Sequence, residues 1–447
     1  MRIFQVNLGK ISIGLAVIFL LSCVSLKAEE SLTWEECLER AAAKNADIAA
    51  GSHSVEKAKA NYDGAYSGFY PTLSGTASYN RTSSGLAIVG GAGAIPSVGS
   101  AIVNGPQGSS GNQYAAGLTV SQNIFNGFQD KANVAVGEAS LESARYSASA
   151  TEAQVRYDLR NAFARVLYYN ELLALDQDIV NRRKENADLV ELRFEGGNEN
   201  KGNYLRSTAS YHMALVDAAQ IKRDLAVSQE NLGRLLGKPP GYAVSAIGNL
   251  DLPVVPSQNI DFNVALSRNP SHQQAQSDLK TAESGIKKSQ SGYFPTLAAN
   301  GSVFRQDTNF PPQNTMWSAG LTLTVPIFSG LSTYYSVQNS VAERDRAEAN
   351  LTKIDQQAMV SLKQAYADFL SAIEHAQAQD ETAQAAKIRS QVAKGKYQIG
   401  LQSFEDWDLI ENDLITQQQQ LLSQRLQAIS ALAAWEQALG MGVSREK

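Results

Sequence analysis

Four short segments alternate apolar residues with Ser, Thr and Asn at a period of two. The clearest runs extend from Leu73 to Tyr79 and from Leu321 to Ile327. A period of two over about 10 residues is typical of a strand that has one apolar face. The pattern predicts two strand pairs, at about 69–84 with 113–126 and at about 293–306 with 316–328.

The rest of the chain has a helical pattern. Between Gly127 and Phe194 there is no Pro, and Gly137 is the only internal Gly. A 4-3-4 spacing of apolar residues forms a coiled-coil-like seam there, at Val155, Leu159, Ala162, Val166, Tyr169 and Leu173. This segment predicts a rod of roughly 100 Å at 1.5 Å per residue. Similar patterns predict helices at about 32–67, 203–237, 260–291, 331–397 and 403–440.

One pattern occurs twice along the chain. Gly68–Leu73 (GFYPTL) recurs as Gly292–Leu297 (GYFPTL) at an offset of 224, and Ile124–Gly127 (IFNG) recurs as Ile327–Gly330 (IFSG) at an offset of 203. The second offset persists to the end of each half, as expected of long helices, in which a one-residue slip rotates a face by about 100°. We predict an internal tandem repeat, with a first copy at 29–237, a linker or equatorial segment at 238–259, a second copy at 260–440 and a tail at 441–447.

The two offsets differ because the first copy contains an insertion between Arg81 and Ala116, in a segment rich in Gly, Ser, Ala and Val. This segment is either a disordered low-complexity loop or the outer loop of a membrane strand pair. Aromatic residues at the strand ends favour the membrane interpretation, because such residues form interfacial girdles. Four strands cannot close a barrel, and strands in lipid cannot leave open edges. Three chains that shared one barrel would supply twelve strands.

The segment 1–28 has the pattern of a secretory signal peptide. Arg2 and Lys10 precede an apolar core at Ile11–Leu21, and Ala28 ends the segment. The alternative is a lipobox that ends at Cys23, which would then carry a lipid. No other run of about 18 apolar residues occurs. We therefore expect an exported chain that crosses a membrane only through strands.

Composition argues against several classes of protein. Of the 447 residues 19% are charged, the net charge is −5, and no Lys/Arg block occurs, so nucleic acid is not an expected partner. Two cysteines and four scattered histidines have no metal-ligand spacing. The adjacent acids Glu35 and Glu36 point about 100° apart on a helix and form no acid/base pair. We expect neither an enzyme nor a cofactor.

Taken in order, these motifs resemble the TolC-like outer-membrane efflux protein family. The resemblance covers nearly all of the mature chain. It rests on the aromatic-Pro-Thr-Leu strand starts and on Leu32–Cys37, Val325–Gly330 and Tyr397–Gly400 with the acidic stretch Glu405–Asp408. It implies a mainly α fold with membrane β, in which a trimeric twelve-stranded outer-membrane β-barrel continues into a twelve-helix periplasmic α-barrel. It also implies contact with outer-membrane lipid, a periplasmic adaptor protein and an inner-membrane pump.

The resemblance assigns residues at the inner tip of the tube. In the family, the turns between paired periplasmic helices dock the adaptor and close the pore, which implies docking residues Gly196, Gly197, Asn200, Gly400, Leu401, Gln402 and Ser403. The implied acidic constriction comprises Glu405, Asp406 and Asp408, with Asn203 as the first-half equivalent of Asp406. The same acids suit the first turn of any helix. Leu409 replaces a second constriction aspartate and Gln402 replaces an arginine of some relatives, so we expect one anionic ring rather than two.

The sequence thus predicts a passive exit duct of a tripartite efflux or type I secretion system, gated at its periplasmic tip. No Walker-type loop is present, so the energy would come from a partner. The alternative is a periplasmic coiled-coil scaffold that transports nothing. Such a scaffold would not need alternating strands with aromatic ends. The Gln417–Gln420 run is interpreted as a solvated helical face, which could line the tube.

Overall fold

A computed structural model describes residues 30–82, 111–255 and 260–443. Its helices are α1 (Trp34–Lys44), α2 (Ala46–Ala65), α3 (Gln129–Glu195), α4 (Lys201–Leu235), α5 (Phe262–Arg268), α6 (Pro270–Gln290), α7 (Ser332–Gln398) and α8 (Phe404–Ala438). Its strands are β1 (Glu30–Leu32), β2 (Thr72–Thr82), β3 (Gly111–Asn126), β4 (Val244–Ala246), β5 (Thr296–Asp307) and β6 (Asn314–Thr324). The expected signal peptide with Cys23, most of the insertion, and residues 256–259 and 444–447 lie outside the described residues.

One antiparallel sheet contains four strands in the order β2-β3-β5-β6. Gly75 lies opposite Leu118, Leu118 opposite Val303, and Val303 opposite Trp317. Directly opposite residues of an antiparallel pair share a face, and alternate residues change face. The register therefore collects one apolar face, which carries Leu73, Leu118, Val120, Val303, Trp317, Leu321 and Leu323. The other face carries mainly Ser, Thr, Asn and Gln.

Two helical hairpins extend from the sheet. α3 and α7 have 67 residues each, and α4 and α8 have 35 each. In the sheet-side half the contacts run α2-α3-α6-α7, and in the tip-side half they run α4-α3-α8-α7. The two long helices thus pass through both layers, while pairs of shorter helices fill each layer. Within the described ranges, no helix combines the length and the apolar character that a membrane crossing requires.

Each strand-to-helix joint uses two consecutive residues with left-handed backbone. Gly127 and Phe128 both have φ of 67°, and Gly330 and Leu331 have φ of 60° and 67°. Glycine adopts this conformation without steric cost, whereas it is uncommon for Phe or Leu. A Cβ at position 127 would also lie 2.5 Å from the backbone oxygen of Ser291. The repeated Gly of the IFNG and IFSG motifs therefore has a conformational reason.

Where the sequence predicts a single helix over 32–67 and over 260–291, the structure breaks each at an Asn. The Asn45 side-chain oxygen caps α2 by accepting backbone N–H groups at 2.8 and 3.2 Å, and its amide donates to the Leu235 oxygen at 2.8 Å. Asn269 caps α6 and donates to the Ala438 oxygen at 3.0 Å. Each Asn side chain thus accepts hydrogen bonds from backbone N–H groups at the start of one helix and donates one to a backbone carbonyl at the end of another helix.

The middle of the molecule contains a core that joins distant segments. β1 pairs in parallel with β4 of the predicted linker, a pairing that the sequence did not reveal. Trp34 packs edge-on against Phe163 at 5.7 Å, and the Arg160 guanidinium lies 4.3 Å from the Trp34 ring centre. Arg160 in turn pairs with Glu436 at 3.0 Å, and burial lowers its pKa. Cys37 is fully buried, and this burial raises the pKa of its thiol to about 12.

We expect Asn45→Ala to destabilise the fold by about 2 kcal/mol. The change removes a helix cap, typically worth about 1 kcal/mol, and leaves the buried Leu235 carbonyl unpaired at a further cost of about 1 kcal/mol or more. Asn45→Ser is the matched control, because its hydroxyl can keep the cap while the amide donor to Leu235 is lost. Thermal unfolding of the purified protein, followed by circular dichroism, should rank wild type above Asn45→Ser and Asn45→Ala lowest. Equal midpoints for all three would contradict this role of Asn45.

Candidate functional site

The hairpin turns lie at the end of the molecule farthest from the sheet. In the first turn α3 ends at Glu195, and Gly197 has a left-handed φ of 72°. Gly196 has a φ of −76°, so of these two glycines only Gly197 needs the conformational freedom that glycine provides. The Asn200 side chain accepts from the Asn203 backbone N–H at 2.8 Å and caps α4.

A closely similar turn joins α7 to α8. Gly400 has a φ of 78°, and the Ser403 hydroxyl accepts from the Asp406 backbone N–H at 3.1 Å. Leu401 is exposed and Gln402 half-buried. The docking residues expected from the sequence are therefore the turn and cap residues of the two hairpins. The structure places these residues on the turns, and their role in docking stays a prediction.

Hydrogen bonds connect the first turn to the second hairpin. The Tyr397 hydroxyl donates to Glu199 Oε2 at 3.0 Å. The Asn203 amide donates to Glu405 Oε1 at 3.0 Å and to Glu199 Oε1 at 2.9 Å. Arg193 Nη1 donates to the Tyr397 backbone oxygen at 2.9 Å. The predicted constriction residues Asn203 and Glu405 thus lie in contact, on different hairpins.

Aromatic side chains support these bonds from inside the hairpin. Tyr397 stacks on Trp407 with ring centres 4.4 Å apart, and Phe404 meets both rings edge-on. The Arg193 guanidinium lies 4.7 Å from the Tyr397 ring centre. Two effects raise the pKa of Tyr397 well above its usual value. Burial is the larger effect, and the hydrogen bond to Glu199 is the next. The Tyr397 hydroxyl therefore stays a donor at any physiological pH.

The predicted acidic constriction divides into exposed and buried carboxylates. Glu405 and Asp406 are exposed in the chain. The pKa of Glu405 is lowered, first by its own backbone N–H and then by the Asn203 amide, so it is ionised at neutral pH. Asp408 is only 5% exposed and pairs with Arg183 at 3.2 Å and Arg206 at 2.8 Å. This compensated position differs from that of an acid facing a pore.

Further polar contacts continue away from the tip. Glu411 pairs with Arg182 at 3.0 Å and accepts the Ser390 hydroxyl at 2.7 Å. The Gln417–Gln420 run is not a uniformly solvated face, because three of its members bond neighbouring helices. Gln417 accepts from Gln379 at 2.8 Å, Gln418 accepts from Arg182 at 3.0 Å, and Gln419 donates to Asp176 at 3.3 Å.

Sequence reasoning missed Glu199, Arg183 and Arg206 as site residues. Each is an ordinary charged residue on a helix or turn, and its partner lies on another hairpin or helix. The sequence does show that Arg182 and Arg183 are opposite in charge to the acids that follow the second turn. This complementarity does not tell which arginine pairs with which acid. Among the described residues, no group of three or more His, Cys, Asp or Glu side chains is arranged to hold a metal ion.

Solved structures with similar folds include outer-membrane channels. A Vibrio cholerae outer membrane protein, VceC, aligns with a TM-score of 0.75 at 17% identity over 91% of this chain and 96% of that chain. A membrane protein from Pseudomonas aeruginosa aligns with a TM-score of 0.78 at 18% identity over 90% and 92%. At these identities the likeness establishes the fold alone.

Sequence comparison identifies relatives and a family. Outer membrane efflux protein BepC of Brucella suis is 21% identical over 328 residues, which span 72% of this chain and 71% of BepC. Nodulation protein T of Rhizobium leguminosarum bv. trifolii is 23% identical over 314 residues, and the match spans 68% of this chain and 65% of that protein. The family model described as "Outer membrane efflux protein" matches residues 37–238 and 262–441, which are most of the chain. The protein therefore belongs to the outer membrane efflux protein family, a family of outer-membrane transport channels.

Proposed function

We propose that the protein is the passive exit duct of a tripartite efflux or type I secretion system. In this proposal three chains form a twelve-stranded barrel in the outer membrane and a twelve-helix tube in the periplasm. The observation that carries the proposal is a four-stranded sheet that has an apolar face and, among the described residues, two unpaired edges. The sheet continues into two helical hairpins whose long helices span about 100 Å. The names of relatives such as BepC and the efflux-pump protein TtgC of Pseudomonas putida support an efflux role.

The sheet has the surface expected of membrane strands. Trp317 is 77% exposed and Ile327, just beyond β6, is 96% exposed in the single chain. A soluble protein rarely presents so large an apolar patch to water. On the opposite face, Ser121 donates to Asn300 at 2.9 Å and the Ser302 and Ser318 hydroxyls bond at 2.7 Å. An apolar outer face and a neutral polar inner face suit a lipid-embedded, water-filled channel.

The lateral order of elements explains how copies would close the barrel. β2 and β6 are the edges of the sheet. The edges of the helical layers are α2 with α7 on the sheet side and α4 with α7 on the tip side. One head-to-tail contact therefore brings β6 to β2, and α7 to α2 and α4, of the next copy. Exposed apolar residues occur on both tip-side edges, including Leu205 and Val216 on α4 and Ile388 and Val392 on α7. Three copies of four strands would close the ring.

The tip suits a gate and a docking site for a periplasmic adaptor. At the turns, the hydrogen bonds Tyr397–Glu199 and Asn203–Glu405 join the hairpins, and water can replace such bonds when the hairpins separate. Leu401 and the neighbouring Ile399 are exposed apolar residues at the turn, which an adaptor can cover. In the closed ring, Asp406 and Glu405 would repeat three times around the axis, while the paired Asp408 would stay inside each protomer. The energised step is assigned to an inner-membrane pump.

The mass of the detergent-extracted protein tests the proposal most directly. Membranes are fractionated, and light scattering corrected for bound detergent gives the protein mass. We expect a homotrimer from the outer membrane, because the unpaired edges of β2 and β6 need partners in lipid. A soluble periplasmic monomer or dimer would overturn the proposal and favour the coiled-coil scaffold instead.

Asp406→Asn should reduce cation block of the channel. If three Asp406 carboxylates surround the axis, their removal should raise the trivalent-cation concentration for half block by about tenfold or more. The measurement is single-channel current in planar bilayers with hexamminecobalt on the tip side. Asp406→Glu keeps the charge and should be blocked like wild type. Unchanged block in Asp406→Asn would remove this residue from the pore axis.

Tyr397→Phe should weaken closure of the tip. The change removes the hydroxyl that donates to Glu199 but keeps the ring that stacks on Trp407. We expect a larger conductance or a higher open probability, because one link between the hairpins is lost. Tyr211→Phe is the matched control, since the Tyr211 hydroxyl has no hydrogen-bond partner in the described part of the chain. A Tyr397→Phe channel with the currents of the control would show that this bond does not hold the gate.

A further inference from the structure

The two sheet hairpins contain very few charged residues. Between Asp63 and Asp130 the sequence has one, Arg81. Between Lys288 and Glu343 it has two, Arg305 and Asp307. The long uncharged segment after Arg81 therefore supplies no acid that could pair with it. This sparseness makes the position of each arginine informative.

Both arginines belong to the apolar face of the sheet. Arg305 lies opposite Ala116, which lies opposite Ala77, and Arg81 follows Ala77 by an even number of positions on β2. By alternation, the two side chains leave the sheet on the same side as Leu118 and Trp317. Both are exposed. They are thus cations on a mainly apolar face, whose other polar members include Gln122, Thr315 and the acid Asp307.

The two arginines also lie at equivalent heights. Arg81 lies 11 positions after the aromatic residue Tyr70, and Arg305 lies 11 positions after Phe294. Strand β2 also has 11 residues. A strand of this length rises about 36 Å, or about 28 Å along the membrane normal at a tilt of about 40°. The apolar band of a membrane barrel is about 25 Å tall. Each arginine therefore lies just beyond the band, at the headgroup level farthest from the helices.

Neither guanidinium has a side-chain partner within the described ranges. No hydrogen bond or ion pair connects Arg81 or Arg305 to another described residue. The one acid nearby, Asp307, accepts the backbone N–H groups of Thr308 at 2.7 Å and Asn309 at 3.3 Å and so stabilises the strand turn. β6, the edge that would meet β2 of the next copy, contains no acid. No acid of the described ranges pairs with either guanidinium, so an external anion can bind there.

We propose that Arg81 and Arg305 bind phosphate groups of lipids in the outer leaflet of the outer membrane. The inference rests on the proposed function, since it needs the apolar face to meet lipid. A planar guanidinium matches phosphate oxygens bidentately. The ring centres of Tyr79 and Tyr114 lie 4.9 Å apart. These two rings and the exposed Trp317 share one face of the sheet and provide the amphipathic surface that is typical of the membrane interface. A threefold ring would carry six such arginines, which would fix the depth of the barrel.

Lipid binding to the purified oligomer tests the inference. The probe is lipid A with two phosphates, compared with the same lipid after dephosphorylation, and native mass spectrometry counts the bound molecules. Wild type should prefer the phosphorylated lipid. The double change Arg81→Gln with Arg305→Gln should lower its affinity at least about tenfold, because charge-assisted hydrogen bonds are lost.

A charge-swap variant provides the matched control. This variant combines Asn80→Arg with Arg81→Gln and Gln306→Arg with Arg305→Gln. It keeps the net charge of the chain and the height of the two cations, but it moves both cations to the polar face of the sheet. Loss of the preference in this variant supports a site on the lipid-facing surface. If this variant still prefers the phosphorylated lipid, the preference depends on net charge alone, and the inference is overturned. Equal stabilisation of wild type by inorganic phosphate alone would also overturn it, because the ligand would then not be a lipid.

Oligomeric mass and channel current separate the inference from the proposed function. If wild type is a conducting trimer and the double variant binds phosphorylated lipid as wild type does, only the lipid site fails. If wild type forms no membrane oligomer, the proposed function fails, and the lipid site fails with it.

Discussion

Backbone hydrogen bonding at the edges of the sheet constrains the arrangement of the whole molecule. Within the described chain, β2 pairs only with β3 and β6 only with β5. In hydrocarbon an unpaired backbone group costs several kcal/mol, so membrane strands need neighbours on both sides. The helices at these edges are connected to the same strands. Helix α2 precedes β2, α7 follows β6, and α4 forms a hairpin with α3, which follows β3. A contact that pairs the strands therefore also sets which helices meet between copies.

The two ends of the long helices differ in how they are held. The middle of the molecule contains buried residues such as Leu159, Leu232 and Leu362, together with the asparagine bonds at helix junctions. The tip has a smaller cluster, in which Val190 of the first hairpin packs with Tyr397 and Trp407 of the second, and side-chain hydrogen bonds also join the hairpins there. Water can replace such bonds at modest cost, whereas opening an apolar core exposes surface. Motion at the tip is therefore compatible with a rigid middle.

A short acidic run illustrates how helix geometry separates similar residues. Asp406 and Asp408 are two positions apart on α8 and therefore point in directions about 200° apart. Asp406 faces outward, whereas Asp408 meets Arg183 and Arg206 inside the protomer. Equal composition thus produces one free charge and one compensated charge. The choice depends on what α3 and α4 place beside α8.

Local periods of hydrophobic residues predict the strand pairs and the long rods, and motifs that recur at fixed offsets predict the repeated order of elements. The resemblance to the outer-membrane efflux family supplied the expected positions of the turns and their cap residues. The break at Asn45, the pairing of β1 with β4 and the partners of Asp408 are apparent only in the folded chain. Asn45 bonds a residue 190 positions away, and Arg183 bonds one 225 positions away. Such contacts have no local period, since they arise only when the folded helices bring distant side chains within hydrogen-bond distance.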